Sequence, residues 1–182
     1  MTDTLRRIDE SEVEDYRALV QSAYVQATTL GVHFAASDGS MDDFRRHLRE
    51  NVAWGLEEDG ALVATASIRF PWGPNPGRFS LPHLGWVATD PAVGRQGWGR
   101  RVIDAVIALL AREVHAPAVS LGTAKDHPFL ASYYTGQGFL PAGEADLGIG
   151  HVTSYFIKPI DPPAFRRWLT QNPSVSIQGV IA

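Results

Sequence analysis

The sequence predicts an α/β fold built on a partly antiparallel sheet, and three observations carry that reading. In "VAWGLEEDGALVATASIRF", residues 52–70, two strand-like runs flank Asp59-Gly60. That dipeptide suits the positive φ of a tight turn, so the stretch reads as an antiparallel hairpin. Further on, a strand-like run, a glycine-rich loop, a long apolar helix and a short buried strand follow one another between residues 78 and 123. Such a unit implies a parallel pair joined by a right-handed crossover. The 182 residues are 45% hydrophobic, enough for one sizeable core, and no repeat or linker divides them. The whole chain, 1–182, is therefore expected to be one domain.

The elements follow in order. "TLRRID" is a short first strand. Residues 11–27 form a helix with Ser11 as N-cap and Glu14 three positions on, the capping-box spacing. Val13, Tyr16, Leu19, Val20 and Tyr24 share one face of it. Ser40 caps a second helix, "MDDFRRHLREN", whose acids precede its bases as the helix dipole favours. After the hairpin, Pro82 and Gly85 make the strand "RFSLPHLGWVAT" irregular or bulged. A helix runs to about Glu113, followed by the strand "APAVSLGT" and a short helix in "HPFLASYYTGQG". "GFLPAGEA" and "HVTSYFIKPI" are the last strands. "PPAFRRWLTQ" is a terminal helix with prolines in its first turn. The apolar tail "VSIQGVIA" suits either a homodimer contact or a cover for its own sheet.

Composition removes several function classes. There are no cysteines, which excludes disulfides and thiolate metal sites. The N-terminus lacks the apolar stretch of a signal peptide, and the run 102–111 is too short to span a bilayer and contains Asp104. A cytoplasmic protein with no membrane partner is expected. A net charge of −4 argues against a broad nucleic-acid surface.

Against that acidic background, "VGRQGWGRR" at 93–101 gathers three glycines and three arginines immediately before a helix. The first turn of a helix has unpartnered N–H groups and about half a positive charge from its dipole. Glycines let an anion approach the backbone closely, and Arg95, Arg100 and Arg101 add full charges. The loop is therefore an expected phosphate or pyrophosphate site. The order Gly94, Gly97, Gly99 matches neither the P-loop nor the dinucleotide fingerprint, which counts against a nucleotide-binding domain.

"DP" at 90–91, "GRQGWG" at 94–99 and "YYTGQGF" at 133–139 form an ordered set. That set resembles the GNAT superfamily of N-acetyltransferases over approximately residues 50–160. Family members carry [QR]-x-x-G-x-[GA] after the fourth strand and, downstream, a tyrosine five positions before the phenylalanine of a Gly-Phe pair. Tyr134 and Phe139 have that spacing. Position one of the first motif is Gly94 rather than Gln or Arg, with Arg95 beside it. The resemblance implies a mixed, mostly antiparallel central sheet flanked by helices and splayed between strands four and five. It also implies an acetyl-CoA-binding core at about 50–160, helices 11–51 bordering the acceptor site, and a C-terminal helix and tail at 161–182.

The same resemblance implies roles for individual residues. Backbone amides across Gly94, Arg95, Gln96, Gly97, Trp98, Gly99 and Arg100 hold the pyrophosphate of acetyl-CoA. Val87, Ala88 and Thr89 face the pantetheine arm and polarise the thioester carbonyl. His127 stands where many members have an asparagine contacting that arm. Tyr134 donates a proton to the departing sulfur, as a phenol of pKa about 10 can near neutrality, and Tyr133 reads as its core neighbour. His83 lies eleven residues before Gly94, the offset of a glutamate base in the histone-acetylating members. With a reference pKa near 6.5, it is a candidate base. His33, Asp38 and Trp72 sit in loops expected to border the acceptor pocket. The implied activity is direct acetyl transfer to a primary amine of a small molecule or peptide. A noncatalytic acyl-CoA-binding module on the same fold is the alternative.

Overall fold

The computed structural model describes residues 4–93 and 96–177. Gly94 and Arg95, both expected at the pyrophosphate, lie outside the described residues, as does the tail from residue 178. Seven strands form one sheet in the order β1-β2-β3-β4-β5-β7-β6. They are β1 (Leu5–Arg7), β2 (Val52–Glu58), β3 (Ala61–Arg69), β4 (His83–Thr89), β5 (Ala118–Ala124), β6 (Leu140–Asp146) and β7 (Val152–Pro159). Every pairing is antiparallel except β4 with β5. The β2–β3 turn places Asp59 at φ 51° and Gly60 at φ 81°, the two positive values a tight hairpin turn needs.

Five helices cover the sheet: α1 (Val13–Thr29), α2 (Met41–Glu50), α3 (Trp98–Leu109), α4 (Leu130–Thr135) and α5 (Pro162–Gln171). The cap of α2 is as read, with the Asp43 N–H donating to Ser40 Oγ at 3.2 Å. The start of α1 differs. A 3₁₀ turn, Glu10–Glu12, precedes it, and the Asp9 N–H donates to the Glu12 carboxylate at 2.9 Å. The polar pair that opens the segment is therefore Asp9 and Glu12, not Ser11 and Glu14. The tighter turn moves the start two residues earlier.

The two faces of the sheet differ in chemistry. Under α3 and α4 the face is apolar: Trp54, Leu56, Ala66, Ile68, Leu84 and Leu121 pack against Val102, Ile103 and Val106. Under α1 and α2 the face is polar at its centre. Thr65, Ser67 and Arg69 alternate along β3, and His83 and Ser120 continue the row from Arg69 across β4 and β5. Tail residue Ile177 is buried with Phe165 and Trp168, so the described part of the tail covers its own chain.

Two irregularities in β4 shape the site. A bulge falls between Gly85 and Ala88, because Ser67 pairs with Gly85 and Thr65 with Ala88. Trp86 at the bulge has φ 47°, a left-handed value rare for a bulky residue and costing on the order of 1–3 kcal/mol. Its ring stacks on His47 (3.7 Å between centroids, 11°) and meets Phe44 edge-on at 4.9 Å. At about 0.5–1.5 kcal/mol per aromatic pair beyond area burial, these contacts offset the strain. The bulge breaks simple alternation. Trp86 joins the α1/α2 face with Ala88, and Val87 joins Leu84 on the opposite one.

The second irregularity is a divergence. β4 and β5 pair only at His83–Ser120 and Leu84–Leu121. Beyond Leu84 the strands separate, and the splay expected between strands four and five is present.

Candidate functional site

A cavity of about 840 Å³ opens at the divergence of β4 and β5 and extends beneath α1 and α2. Its walls bring together residues distant in sequence. Val87, Ala88 and Thr89 line one side, His127 and Tyr134 another, and His47, Arg69 and His83 the polar shelf.

The end of β4 has an unpaired edge. The Asp90 N–H donates to the Val63 carbonyl at 2.9 Å. Antiparallel alternation therefore turns the N–H and C=O of Thr89 away from β3, toward the gap. The Asp90 carboxylate then accepts from the Ala92 N–H at 2.8 Å and sets the turn into Pro91–Val93. This is the local role of the "DP" pair.

At the head of α3, Gly97 is the N-cap residue with φ 78°. Among the described residues, a Cβ built there would meet nothing within 4 Å. Gly99 is the opposite case, since its Cβ would lie 2.9 Å from the Tyr133 hydroxyl and 3.2 Å from Thr89 Oγ1. Gln96 donates from Nε2 to the Val93 carbonyl at 2.8 Å and braces the loop. Trp98 belongs to the core, with Arg101 stacked over its ring at 3.8 Å. Any contact it makes with an anion is therefore through its backbone. Arg100 is exposed beside Asp104 at 3.5 Å.

Tyr134 projects from α4 with its ring packed edge-on against Phe139 at 5.7 Å. Burial raises its pKa, with a smaller contribution from Tyr133, so the phenol is protonated at neutral pH. Among the described residues, none accepts a hydrogen bond from its hydroxyl. The neighbouring expectation is corrected. Tyr133 is 38% exposed and its hydroxyl sits over Gly99, so Tyr134 is the buried member of the pair and Tyr133 a surface one. The short helix turns consecutive residues about 100° apart, and only one can face the core. His127 is buried against Phe129, and among the described residues its Nδ1 has no partner.

His83 is 4% exposed, and its Nδ1 lies 2.9 Å from Ser120 Oγ. Burial, and then the charge of Arg69, push its pKa down to about 3. A histidine titrating near 6.5 is thus not what these surroundings produce. His47 behaves alike, pushed down to about 3 by burial and then by Arg69. Its network fixes the neutral tautomer. The Ser67 hydroxyl donates to the Gly85 carbonyl at 2.9 Å, so His47 Nε2 donates to Ser67 Oγ at 3.0 Å. Nδ1 then accepts from Asn51 at 3.3 Å.

These buried histidines make stability depend on pH. Below about pH 6.5 the unfolded chain protonates both histidines while the folded chain keeps them neutral. Stability therefore falls as pH drops from about 6.5 toward 3, by up to about 1.4 kcal/mol per pH unit for each. Urea midpoints at pH 7 and pH 5 should show a shallower acid loss for His83→Gln than for wild type. Equal losses would contradict the buried neutral state.

Three loop residues expected at the acceptor pocket are not there. His33 and Asp38 form an exposed pair at 3.4 Å, and Trp72 is 71% exposed, stacked on Phe70. None lines the cavity; Phe34, Ala36 and Asn75 from the same loops do. Sequence reasoning also missed Tyr24, His47 and Arg69. For Arg69 a signal was available: "TASIR" alternates Thr65, Ser67 and Arg69 with apolar residues, on a strand covered on both faces.

Among the described residues, no helix is long and apolar enough to cross a membrane. The sequence profile of the acetyltransferase (GNAT) family matches residues 8–139. The S-(2-succino)cysteine N-acetyltransferase of Bacillus subtilis (strain 168) is 38% identical over 152 residues, 83% of this chain and 92% of that one. The S-alkylcysteine N-acetyltransferase of the same organism is 30% identical, over 75% of this chain and 78% of its own. The fold is also that of the PaiA N-acetyltransferase from Thermoplasma acidophilum, solved in complex with coenzyme A. That structure has a TM-score of 0.65 at 12% identity, covering 87% of this chain and 99% of that one. The chain is an N-acetyltransferase belonging to the acetyltransferase (GNAT) family.

Proposed function

We propose that the chain transfers the acetyl group of acetyl-CoA to the α-amine of a small S-substituted cysteine. One observation carries this reading: a single cavity joins the β4–β5 gap to the polar shelf under α1 and α2. Among the described residues the gap offers what a thioester arm needs, namely the free edge of β4 beyond Leu84 and the unpartnered Nδ1 of His127, with room for a Cβ at Gly97. The names of the two Bacillus relatives point to the acceptor class.

Acetyl-CoA supplies an activated acetyl carbonyl and a thiolate leaving group. The residues of the chain do the rest. Amides across Gln96, Gly97, Trp98, Gly99 and Arg100 receive the pyrophosphate, together with those of Gly94 and Arg95. The gap-facing backbone groups along Val87–Thr89, those of Thr89 first, align the arm and donate to the carbonyl oxygen as charge develops there. The neutral amine attacks the carbonyl carbon, the C–N bond forms, and the C–S bond breaks. Tyr134 donates its proton to the leaving sulfur and regains one from solvent as CoA departs, so the phenol is restored for the next turnover. The proton lost by the amine passes to water. His83 is assigned a hydrogen-bonding place in the wall rather than the role of base, because a histidine held near pKa 3 is a weak proton acceptor at neutrality.

The test is to supply acetyl-CoA with S-(2-succino)cysteine or S-methylcysteine across a pH series. One N-acetyl product should form per CoA released. The rate should rise with pH toward the pKa of the acceptor amine, with no inflection at 6 to 7. CoA release without N-acetyl product would defeat the reading. A limb at pH 6 to 7 that disappears in His83→Gln would restore His83 as the base.

A further inference from the structure

Resting on that reading of the cavity, we propose that Arg69 is the acceptor's carboxylate-binding residue, so that the cavity selects amines bearing an acid group. Arg69 ends β3, half-buried, with His83 opposite it in the sheet register. It lines the cavity. Its charge reaches inward, for it lowers the pKa of both His47 and His83.

What Arg69 lacks is a counter-ion. Among the described residues no carboxylate lies within 4 Å of it. Among the described residues its guanidinium makes one hydrogen bond, and that is long, 3.5 Å from Nη1 to Asn75 Oδ1. The other arginine of the cavity, Arg46, is already paired with Asp43. Glu50 also lines the cavity but makes no ion pair with Arg69.

A guanidinium stays protonated in proteins, so burial charges Arg69 a desolvation penalty without relieving it of its charge. Its planar fork matches the two oxygens of a carboxylate, and such a pair would offset that penalty. The neighbouring shelf suits this occupant, since His47 and His83 are neutral and Ser67 Oγ is committed to the Gly85 carbonyl. Arg69 therefore stands as the cation of the shelf left for an incoming anion. The rows of β3, β4 and β5 hold it at one end of the cavity, while the thioester chemistry takes place at the β4–β5 gap.

The experiment compares wild type, Arg69→Gln and Arg69→Lys on two acceptors, S-methylcysteine and S-methylcysteamine, which lacks the carboxylate. Arg69→Gln should raise KM for the cysteine about 10- to 100-fold. KM for the cysteamine and for acetyl-CoA should stay within about twofold. That second arm also shows that the variant is folded. Arg69→Lys, which keeps the charge and loses the fork, should fall between. Equal losses on both acceptors, or none on either, would overturn the role of Arg69 and leave the acetyl-transfer reading standing. If wild type acetylates neither acceptor, the acceptor reading fails, and binding of succinate in the presence of CoA judges Arg69 alone. NMR shifts present in wild type and lost in Arg69→Gln would support the carboxylate subsite; their absence from wild type would overturn it.

Discussion

Replacing Tyr134 with phenylalanine is expected to lower kcat by about 10²-fold while changing KM for acetyl-CoA little. The substitution keeps the ring, which packs against Phe139 and Phe156, and removes only the hydroxyl. Folding should therefore be undisturbed, because no hydrogen bond among the described residues is lost with it. The mechanism needs the hydroxyl when the C–S bond breaks, since an unprotonated thiolate is the poorer leaving species inside a low-dielectric gap. Burial raises the phenol's pKa, so the loss should be constant from about pH 6 to 9. Tyr133→Phe is the paired control. Its hydroxyl lies over Gly99, outside the reacting line, and its effect should be mild. Steady-state kinetics on the two variants decide the matter, and equal kcat values for Tyr134→Phe and wild type would remove the hydroxyl from the mechanism.

The second large effect is expected at Gly97. A Cβ there meets no described atom within 4 Å, and at the N-cap position a side chain would occupy space beside the first turn of α3. That is the space an anion must enter to reach the unpartnered amides. Gly97→Val should weaken CoA binding at least about tenfold, the worth of one lost charge-assisted hydrogen bond. It should also cost about 1–3 kcal/mol of stability, because valine resists a φ of 78°. Gly97→Asn separates the two effects. Asparagine tolerates the left-handed region, so stability should be nearly retained while CoA binding still falls. Calorimetry with CoA and urea unfolding on both variants test this. Unchanged affinity in folded Gly97→Asn would contradict the pyrophosphate assignment.

The scaffold was legible because its signals are local. Asp59-Gly60 forces its hairpin turn within four residues, and the strand–glycine–helix run around residue 97 carries its own period and caps. Even the bulge in β4 has a local sign in Pro82 and Gly85, although the residue that takes the unusual φ is Trp86. The start of α1 escapes such reading because a 3₁₀ turn and an α-turn offer similar cap residues two positions apart. The acceptor side was far less legible. Its shelf is assembled from α1, α2, β3 and β4, whose meeting depends on sheet order rather than on any local pattern. His47 looks like an ordinary surface residue of an amphipathic helix until Trp86, turned by the bulge, stacks on it. His83 carries the right offset for a base, yet its burial depends on Gly77, whose missing side chain lets the loop lie against the ring. A Cβ there would come within 2.5 Å of His83 Cβ. No sequence window contains that contact. His33, Asp38 and Trp72 failed as pocket residues for the converse reason: a loop's position can be guessed, but the direction of its side chains cannot.

Acetyl transfer in the gap between β4 and β5 is the central claim, and a crystal structure with bound CoA tests it most directly. The expected result is the pyrophosphate on the amides at the head of α3, the pantetheine arm along Val87–Thr89, and the sulfur within hydrogen-bond reach of the Tyr134 hydroxyl. CoA seated elsewhere on the sheet, or a sulfur out of reach of Tyr134 with the gap closed, would contradict it.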